Sequence, residues 1–541
     1  MTDVNVKLLG INLLQVKKTQ DVFKLSMFGI RLISKYDPAA KHKQMQADVE
    51  DVPLEPQIIK LCLREGGGLG DSLFQLVYLK ELRKMFKCPV RIDFYCRGYK
   101  AFQDVPFIDN TMKYTSDQDL SKYDIIITSR RLWQIIINSE DKVKELAPEF
   151  YDFYCKNNAF ITEAFANEWS DATVTTYAKL FNKNRFEQPN IHNFLNVDRN
   201  TPKYLSWDES AFGILDVYGL KRGNYITICR AVDIKYNSNH PKLWPLEYYN
   251  ELIHKIKSKY PDIKIVQVGS DISYGAFDGV DLCLCGQTSL EQIKVLLKYS
   301  LLHIDGEGGL VHMKRFLNGI SVVLFGPTSP EVYGYEENIN IYNQICPISC
   351  CQISRQWANE CMKEHVAPAP CMKCLTPTIV FKAISEYLKQ LPRHAYKVKI
   401  KQNVILKNFI KDKSVAVYGR PDKSMLQMLK LAKSVMIYDR DLAIDDQLYP
   451  KNCEYLSVVN RNNWEAEFAT PYNIPAHDNT YDHIIVCEKE ISHLEDAVAE
   501  WLRILKPSGN LFFFPKQDVN IRDMYIKSTT GAETAVVTKV K

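Results

Sequence analysis

The chain has 541 residues, too many for one hydrophobic core, and length alone argues for roughly three or four domains. Hydrophobic residues at 46% and charged residues at 25% are ordinary for a soluble globular protein. The net charge of +5 is small for this size and gives a general nucleic-acid role no support.

The first 45 residues hold eight Lys/Arg against three Asp/Glu, which accounts for the whole net charge. They contain a crude repeat, KLLGINLLQVKK (7–18) and KLSMFGIRLISKY (24–36), each a short apolar strand ending in basic residues. Two readings stand: a local hairpin packed on the main body, or a basic, apolar contact with the inner membrane surface. No apolar run approaches the roughly 20 residues of a membrane helix. The start, MTDVNVKLLG, lacks the layout of a secretory signal, so a cytoplasmic protein is expected.

From Gln57 the pattern becomes strand (IIKLCLRE), glycine loop (GGGLGD) and helix (SLFQLVYLKELRKMF), with PVRIDFYC and YDIIITS as further core strands. Such alternation implies a parallel sheet with flanking helices. The stretch 131–210 reads as mostly helical and aromatic. Alternation restarts at YITICRA and continues through LEYYNELIHKIKSKY, DIKIVQVGS, SLEQIKVLLKYS, LLHIDGEGG and ISVVLFGP. Two Rossmann-like halves in tandem leave a cleft between them, where open α/β sheets place ligands at strand C-termini. A helix, TPTIVFKAISEYLKQL, closes the second half. A third run of strands begins near Val404. The expected divisions are an N-terminal extension at 1–50, α/β units at 56–210 and 211–395, and a smaller α/β unit at 400–541.

GGGLGD (66–71) sits where a strand enters a helix. Glycines there let a ligand approach the backbone, and the helix start offers free N–H groups. Asp71 reads either as a helix cap or as a general base facing the cleft. Arg230, Lys242 and Trp244 follow the first strand of the second half. The cations there are either solvated or placed to neutralise a diphosphate leaving group. In 301–335 a strand enters a loop with Asp305 and Glu307, and Gly308-Gly309 then opens a helix containing His312. That helix start suits a pyrophosphate, with an acidic side chain beside it for a ribose hydroxyl.

Fifteen cysteines, an odd number, imply free thiols or metal ligands in a reducing compartment. Six lie between Cys346 and Cys374, and thiolates in pairs with loops between suit a tetrahedral zinc or iron site. Adjacent Cys350 and Cys351 do not easily both face one ion.

The order GGLGDSL, CRAVD…KLWPLEYY, VGS and GEGGLVHMKRFLNGISVVLFGPTSP resembles the family 9 glycosyltransferases, over about 57–392. The resemblance implies an α/β GT-B fold, inversion at the anomeric carbon without metal in the chemistry, and a nucleotide sugar donor, ADP-heptose in the best-known members. It implies Asp71 as the base and Lys242 as the diphosphate ligand. Contacts to the donor would come from Gly68, Gly70, Arg230, Gly269, Ser270, Glu307, Gly308, Gly309, Leu310 and His312. Glu307 stands where the family usually has Asp. The cysteine stretch is similar to the cysteine finger of autotransporter heptosyltransferases, which implies a structural iron held by Cys346, one of Cys350 and Cys351, Cys361 and Cys371, with Cys374 as an extra.

Residues 468–514 resemble class I S-adenosylmethionine-dependent methyltransferases. The cofactor turn, however, reads Tyr418-Gly419-Arg420-Pro421-Asp422, in which Arg420 and Pro421 crowd the cofactor. Asp439 stands where a ribose acid would. A degenerate unit for assembly or acceptor docking, or one with residual cofactor binding, is therefore expected. The acceptor implied by the whole is a lipopolysaccharide core sugar or a protein, and the oligomeric state is left open.

Overall fold

In the computed structural model, 1–56 are described as the backbone of strands only. From residue 57 on, the main stretches outside the description are 167–170, 188–194, 233–239, 271–275, 347–349, 351–358, 391–396, 402–406, 439–464, 514–518 and 527–534. The chain divides into two compact units, Met1–Ile58 and Ile59–Lys541.

In the first unit Asp3–Leu8, Ile11–Thr19, Val22–Met27, Ile30–Lys35 and Val49–Glu50 form an antiparallel meander. The two sequence repeats lie in adjoining strands, with Lys17 opposite Lys24 and Leu14 opposite Met27. Their side chains, including the basic residues read as a membrane contact, lie outside the described residues. Among the described residues, no helix is long and apolar enough to cross a membrane.

Among the described residues the second unit contains three large sheets and a two-stranded one, Val519–Ile521 with Met524–Ile526. In the first, Leu132–Ile137, Ile125–Arg130, Ile59–Glu65, Val90–Cys96 and Asn110–Lys113 lie side by side in that order, all parallel except the first. Strand Leu132–Ile137 falls inside the stretch read as helical. Its apolar run is short, and pairing with Ile125–Arg130 decides its conformation. Helices Glu140–Leu146, Pro148–Ala166 and Asp171–Leu180 follow it.

In the second sheet, Leu282–Cys283, Lys264–Gln267, Tyr225–Ile228, Leu302–Gly306, Ser321–Phe325 and Ile339–Tyr342 are all parallel. Numbered along the chain, their spatial order is 3-2-1-4-5-6, the doubly wound order. Both sheets therefore switch direction between their first and fourth strands, and the loops leaving those strands border a crevice. Helix Leu290–Tyr299 begins with a reciprocal cap, Ser289 accepting from the Gln292 backbone and Gln292 from that of Ser289.

The third sheet runs Lys397–Lys401, Ala535–Val540, Leu505–Phe513, Tyr481–Val486, Ser414–Tyr418, Ser434–Tyr438, Glu465–Glu467. Its last five strands are parallel and Ala535–Val540 is antiparallel to its neighbours on both sides. This sheet is not a tethered module. One continuous core joins Leu73 and Phe74 of the first half, Met313 and Phe316 of the second, and Tyr472, Ile474 and Trp501 of the third. Glu500 sits 5% exposed at this junction, paired with Arg503 at 2.7 Å and Lys298 at 3.2 Å.

Burial opposes ionisation of Glu500, but Arg503 and Lys298 outweigh it and draw the carboxyl down to about 2 from an ordinary 4.5. A depressed carboxylate stabilises the fold above its unfolded value and loses that contribution as pH falls through the folded one. Glu500→Gln is expected to destabilise the protein by about 3–5 kcal/mol at pH 7, the cost of stranding buried cations. The deficit should shrink between about pH 4.5 and pH 2 in denaturant titrations. A deficit independent of pH would contradict the ionised pair.

Candidate functional site

The loops at the two switch points meet. Helix Leu69–Arg83 starts at Gly68 after strand Ile59–Glu65, and helix Gly309–Phe316 starts at Gly308 after strand Leu302–Gly306. A methyl group on Gly70 would lie 2.7 Å from Cδ2 of His312, and one on Gly309 would lie 3.0 Å from Cβ of Leu69. The glycines are therefore needed for the halves to touch, a role that sequence reasoning assigned to ligand approach. From Ser72 to Leu79 the first helix is buried on every face, because its own sheet lies on one side and the second half on the other.

Asp71 occupies the first turn of its helix, where its Oδ2 accepts from the Gly68 amide at 3.1 Å. The cap reading and the base reading are thus compatible, since Oδ1 is turned to Arg185 at 3.7 Å and the side chain is 26% exposed. Arg185 is buried, with its guanidinium 5.2 Å over the Phe74 ring and its carbonyl held by the Tyr78 hydroxyl at 2.8 Å. Sequence reasoning missed Arg185, which lies in the stretch 131–210 read as mostly helical and aromatic, with no motif around it.

A second carboxylate was also missed. Glu65, 4% exposed, accepts from the Gly67 amide at 2.7 Å and from Gln75 Nε2 at 3.1 Å. Gln75 is itself held by Ser129 at 2.9 Å and Trp133 at 2.8 Å. Consecutive amides of the glycine loop thus each donate to one carboxylate. Burial, and then the charge of Asp71, push the Glu65 carboxyl up to about 7, against hydrogen bonds from Ser129 and Gly67.

In the second half, Lys242 Nζ donates to the Glu307 carbonyl at 2.9 Å and pairs with its carboxylate. The other carboxylate oxygen faces His312 Nε2 at 3.3 Å, and the Tyr335 hydroxyl bonds His312 Nδ1 at 2.7 Å. With Tyr335 donating to Nδ1, Nε2–H is the donor to Glu307. Burial works against the Glu307 carboxylate, but Lys242 and His312 overcome it and hold the group well below the usual range. His240 is pulled down to about 4, first by burial and then by Lys242, and so stays neutral beside the lysine.

Arg230 leaves the first strand at the crevice, and its buried Nε has no hydrogen-bond partner among the described residues. Gly269, whose carbonyl accepts from the Gly286 amide at 2.9 Å, and exposed Ser270 end the neighbouring strand's loop. Gly68 and Gly308 cap the two helices, and half-buried Leu310 lies on the second. Trp244 is structural, its indole N–H bonded to the Leu375 carbonyl at 2.7 Å.

Cys346, Cys350, Cys361 and Cys371 come close enough to act on one another's charge. Burial, then Cys350, Cys361 and Cys346 in turn, push the Cys371 thiol up to about 12. Cys374 does not enter that set. As placed, no group of three or more His, Cys, Asp or Glu among the described residues is arranged to hold a metal ion. Cys351 lies outside the described residues, as do Arg420, Asp422 and Asp439 of the third unit.

Residues 159–364 match the family described as Glycosyltransferase family 9 (heptosyltransferase). The match takes in the second half of the cleft and ends before the third unit. A search of curated proteins finds no match. Among solved structures, Escherichia coli ADP-heptose LPS heptosyltransferase II is similar at 15% identity, covering 61% of this chain and 99% of its own, with a TM-score of 0.40. A family 9 glycosyltransferase from Veillonella parvula DSM 2008 is similar at 14%, covering 61% and 98%, with a TM-score of 0.41. The iron-containing dodecameric glycosyltransferase TibC from enterotoxigenic E. coli H10407 is similar at 13%, covering 68% and 86%, with a TM-score of 0.37. The family match and the two facing parallel α/β halves make the fold GT-B and the protein a glycosyltransferase.

The Glu65 environment has a measurable consequence. A raised carboxyl contributes stability below its unfolded value of 4.5 and loses it as pH rises through about 7. Relative to wild type, Glu65→Gln should gain melting temperature across that interval and hold the gain above it. A constant difference from pH 4 to pH 8 would refute the buried-carboxylate assignment.

Proposed function

We propose that this chain transfers a sugar, with inversion, from a nucleoside-diphosphate donor to an acceptor hydroxyl, and that the donor is ADP-heptose. The observation that carries this reading is the meeting of two strand-end loops. One bears Asp71; the other bears Glu307, paired with Lys242 from the segment after Tyr225–Ile228, where Arg230 Nε has no hydrogen-bond partner among the described residues, and Arg230, Lys242 and Glu307 lie within the family-matched segment.

In the reaction Asp71 accepts the acceptor hydroxyl's proton as the oxygen attacks the anomeric carbon. The bond to the diphosphate breaks on the opposite side, and its electrons leave with the nucleoside diphosphate. Arg185 beside Asp71, at 3.7 Å, holds the carboxylate in orientation toward the attacking hydroxyl. Charge developing on the departing diphosphate is met by Lys242 and Arg230.

Lys242 is already paired with Glu307. A diphosphate therefore has to compete with that carboxylate for the ammonium, and Glu307 is left to accept from a donor hydroxyl. The acceptor in this reading is a lipopolysaccharide core sugar or a protein side chain.

Asp71→Ala should lower transfer by about 10²–10⁴-fold while leaving donor affinity within a few-fold of wild type. Near-normal turnover in the variant would remove the base assignment. A thermal-shift series of nucleotide sugars tests the donor, since a ligand that binds only the folded state raises the midpoint, and ADP-heptose should raise it most.

The same reading gives Cys346, Cys350, Cys361 and Cys371 a structural iron or zinc, supported by the pocket that Cys346, Cys350 and Cys371 line together. Elemental analysis of purified protein should find about one ion per chain. Cys361→Ser should lose it, together with thermal stability; an ion retained at wild-type level would remove Cys361 from the set.

A further inference from the structure

Among the contacts that join the third sheet to the two halves, one side chain gathers several groups behind the cleft: Asn473, which is 0% exposed. Its amide nitrogen donates to the Leu205 carbonyl at 2.9 Å and the Phe316 carbonyl at 3.2 Å. Its amide oxygen accepts from Asn318 at 2.8 Å and from Lys298 at 3.3 Å. All the hydrogen-bonding capacity of the amide is used, on groups from three parts of the chain.

Each of those groups matters to the cleft. Phe316 is the last residue of the helix Gly309–Phe316, and its carbonyl is one of the four that a helix end leaves without an internal partner. Leu205 lies in the connector that leads from the first half into the second. The same connector is gripped along its length: the Tyr204 hydroxyl accepts from the Thr470 amide at 3.1 Å, and the Phe212 ring lies 4.1 Å from His493 and 5.3 Å from Tyr472. Beyond it, Arg222 pairs with Asp496 at 2.5 Å. Asn473 and Asp496 are buried while Arg222 is 44% exposed, so separating the third sheet would strand the buried members of these contacts.

We propose that the C-terminal sheet is a positioning element of the nucleotide-sugar site, with Asn473 as the residue that ties the donor helix and the inter-half connector to one point. The inference rests on the donor-site reading above. A short helix moves as a rod, so holding its C-terminal carbonyl sets where its first turn, at Gly308 and Gly309, meets the diphosphate. Holding the connector at Leu205 sets the pivot about which the halves close. Such a unit contributes to transfer without binding a cofactor of its own.

The test uses the full chain with Asn473→Ser and, because that variant removes a fully buried amide, also Asn318→Gly. Asn318 has a φ of 57°, which glycine adopts freely, so the second variant deletes one tie without backbone strain. Val417→Ala, in the separate core of the third sheet, lowers stability without touching the ties. Binding of ADP, GDP and UDP is measured by calorimetry, and backbone exchange is followed over 198–212 and 309–316. Both tie variants should lose nucleotide affinity on the order of fivefold and exchange faster in both segments. Val417→Ala should melt earlier and bind as wild type does.

Tie variants that bind and exchange like wild type would overturn the inference, as would equal loss of affinity in Val417→Ala. A wild-type chain that binds none of the three diphosphates would overturn the donor-site reading itself, and this inference with it.

Discussion

Two glycine α-carbons hold the molecule's working geometry. Gly70 and Gly309 stand at the first turns of helices from different halves, and each leaves only a hydrogen where any side chain would strike the opposite helix. Contact at that point brings the strand ends of both sheets to one crevice. It also buries helix Leu69–Arg83 on all sides from Ser72 to Leu79, which is why that helix shows little division into polar and apolar faces. The residues flanking the contact, Asp71 on one side and Glu307 on the other, gain their relation to each other from it.

The charges around the contact follow one rule. Each carboxylate near the crevice is matched by a cation or donor from elsewhere in the chain: Asp71 by Arg185, Glu307 by Lys242 and His312. Glu65 differs in that its hydrogen bonds among the described residues come from neutral donors, and burial drives it toward the protonated form. A buried ion pair adds little to stability by itself, because desolvation offsets most of the attraction. Its value here lies in orientation, since a carboxylate fixed at both oxygens cannot turn away from the cleft.

The third sheet completes this arrangement from behind. Its core is continuous with that of the two halves through Tyr472, Ile474 and Trp501, and its polar contacts reach the connector and the far end of the donor helix. The glycine contact orders the front of the cleft and Asn473 the back. Helix Gly309–Phe316 is held at both ends, and the ion pairs above depend on its being held.

Alternation of apolar strands, glycine turns and amphipathic helices was readable from residue order, because periodicity and turn chemistry are local properties. The same order offered Asp71 and Glu307 as candidates beside glycine turns, and Lys242 through the motif it stands in. Strand Leu132–Ile137 was not readable, since a short apolar run takes its conformation from the strand it pairs with. Arg185, Glu65 and Asn473 were invisible for a related reason. Nothing around Arg185 or Asn473 along the chain distinguishes them, and Glu65, though it ends a strand before the glycine loop, is set apart only by burial; their roles come from packing, Arg185 with Asp71, Glu65 with Gln75 and Asp71, Asn473 with Leu205 and Phe316. Local chemistry named the groups that could act; long-range packing decided which charges face them, because burial and Coulomb attraction act through space and not along the chain.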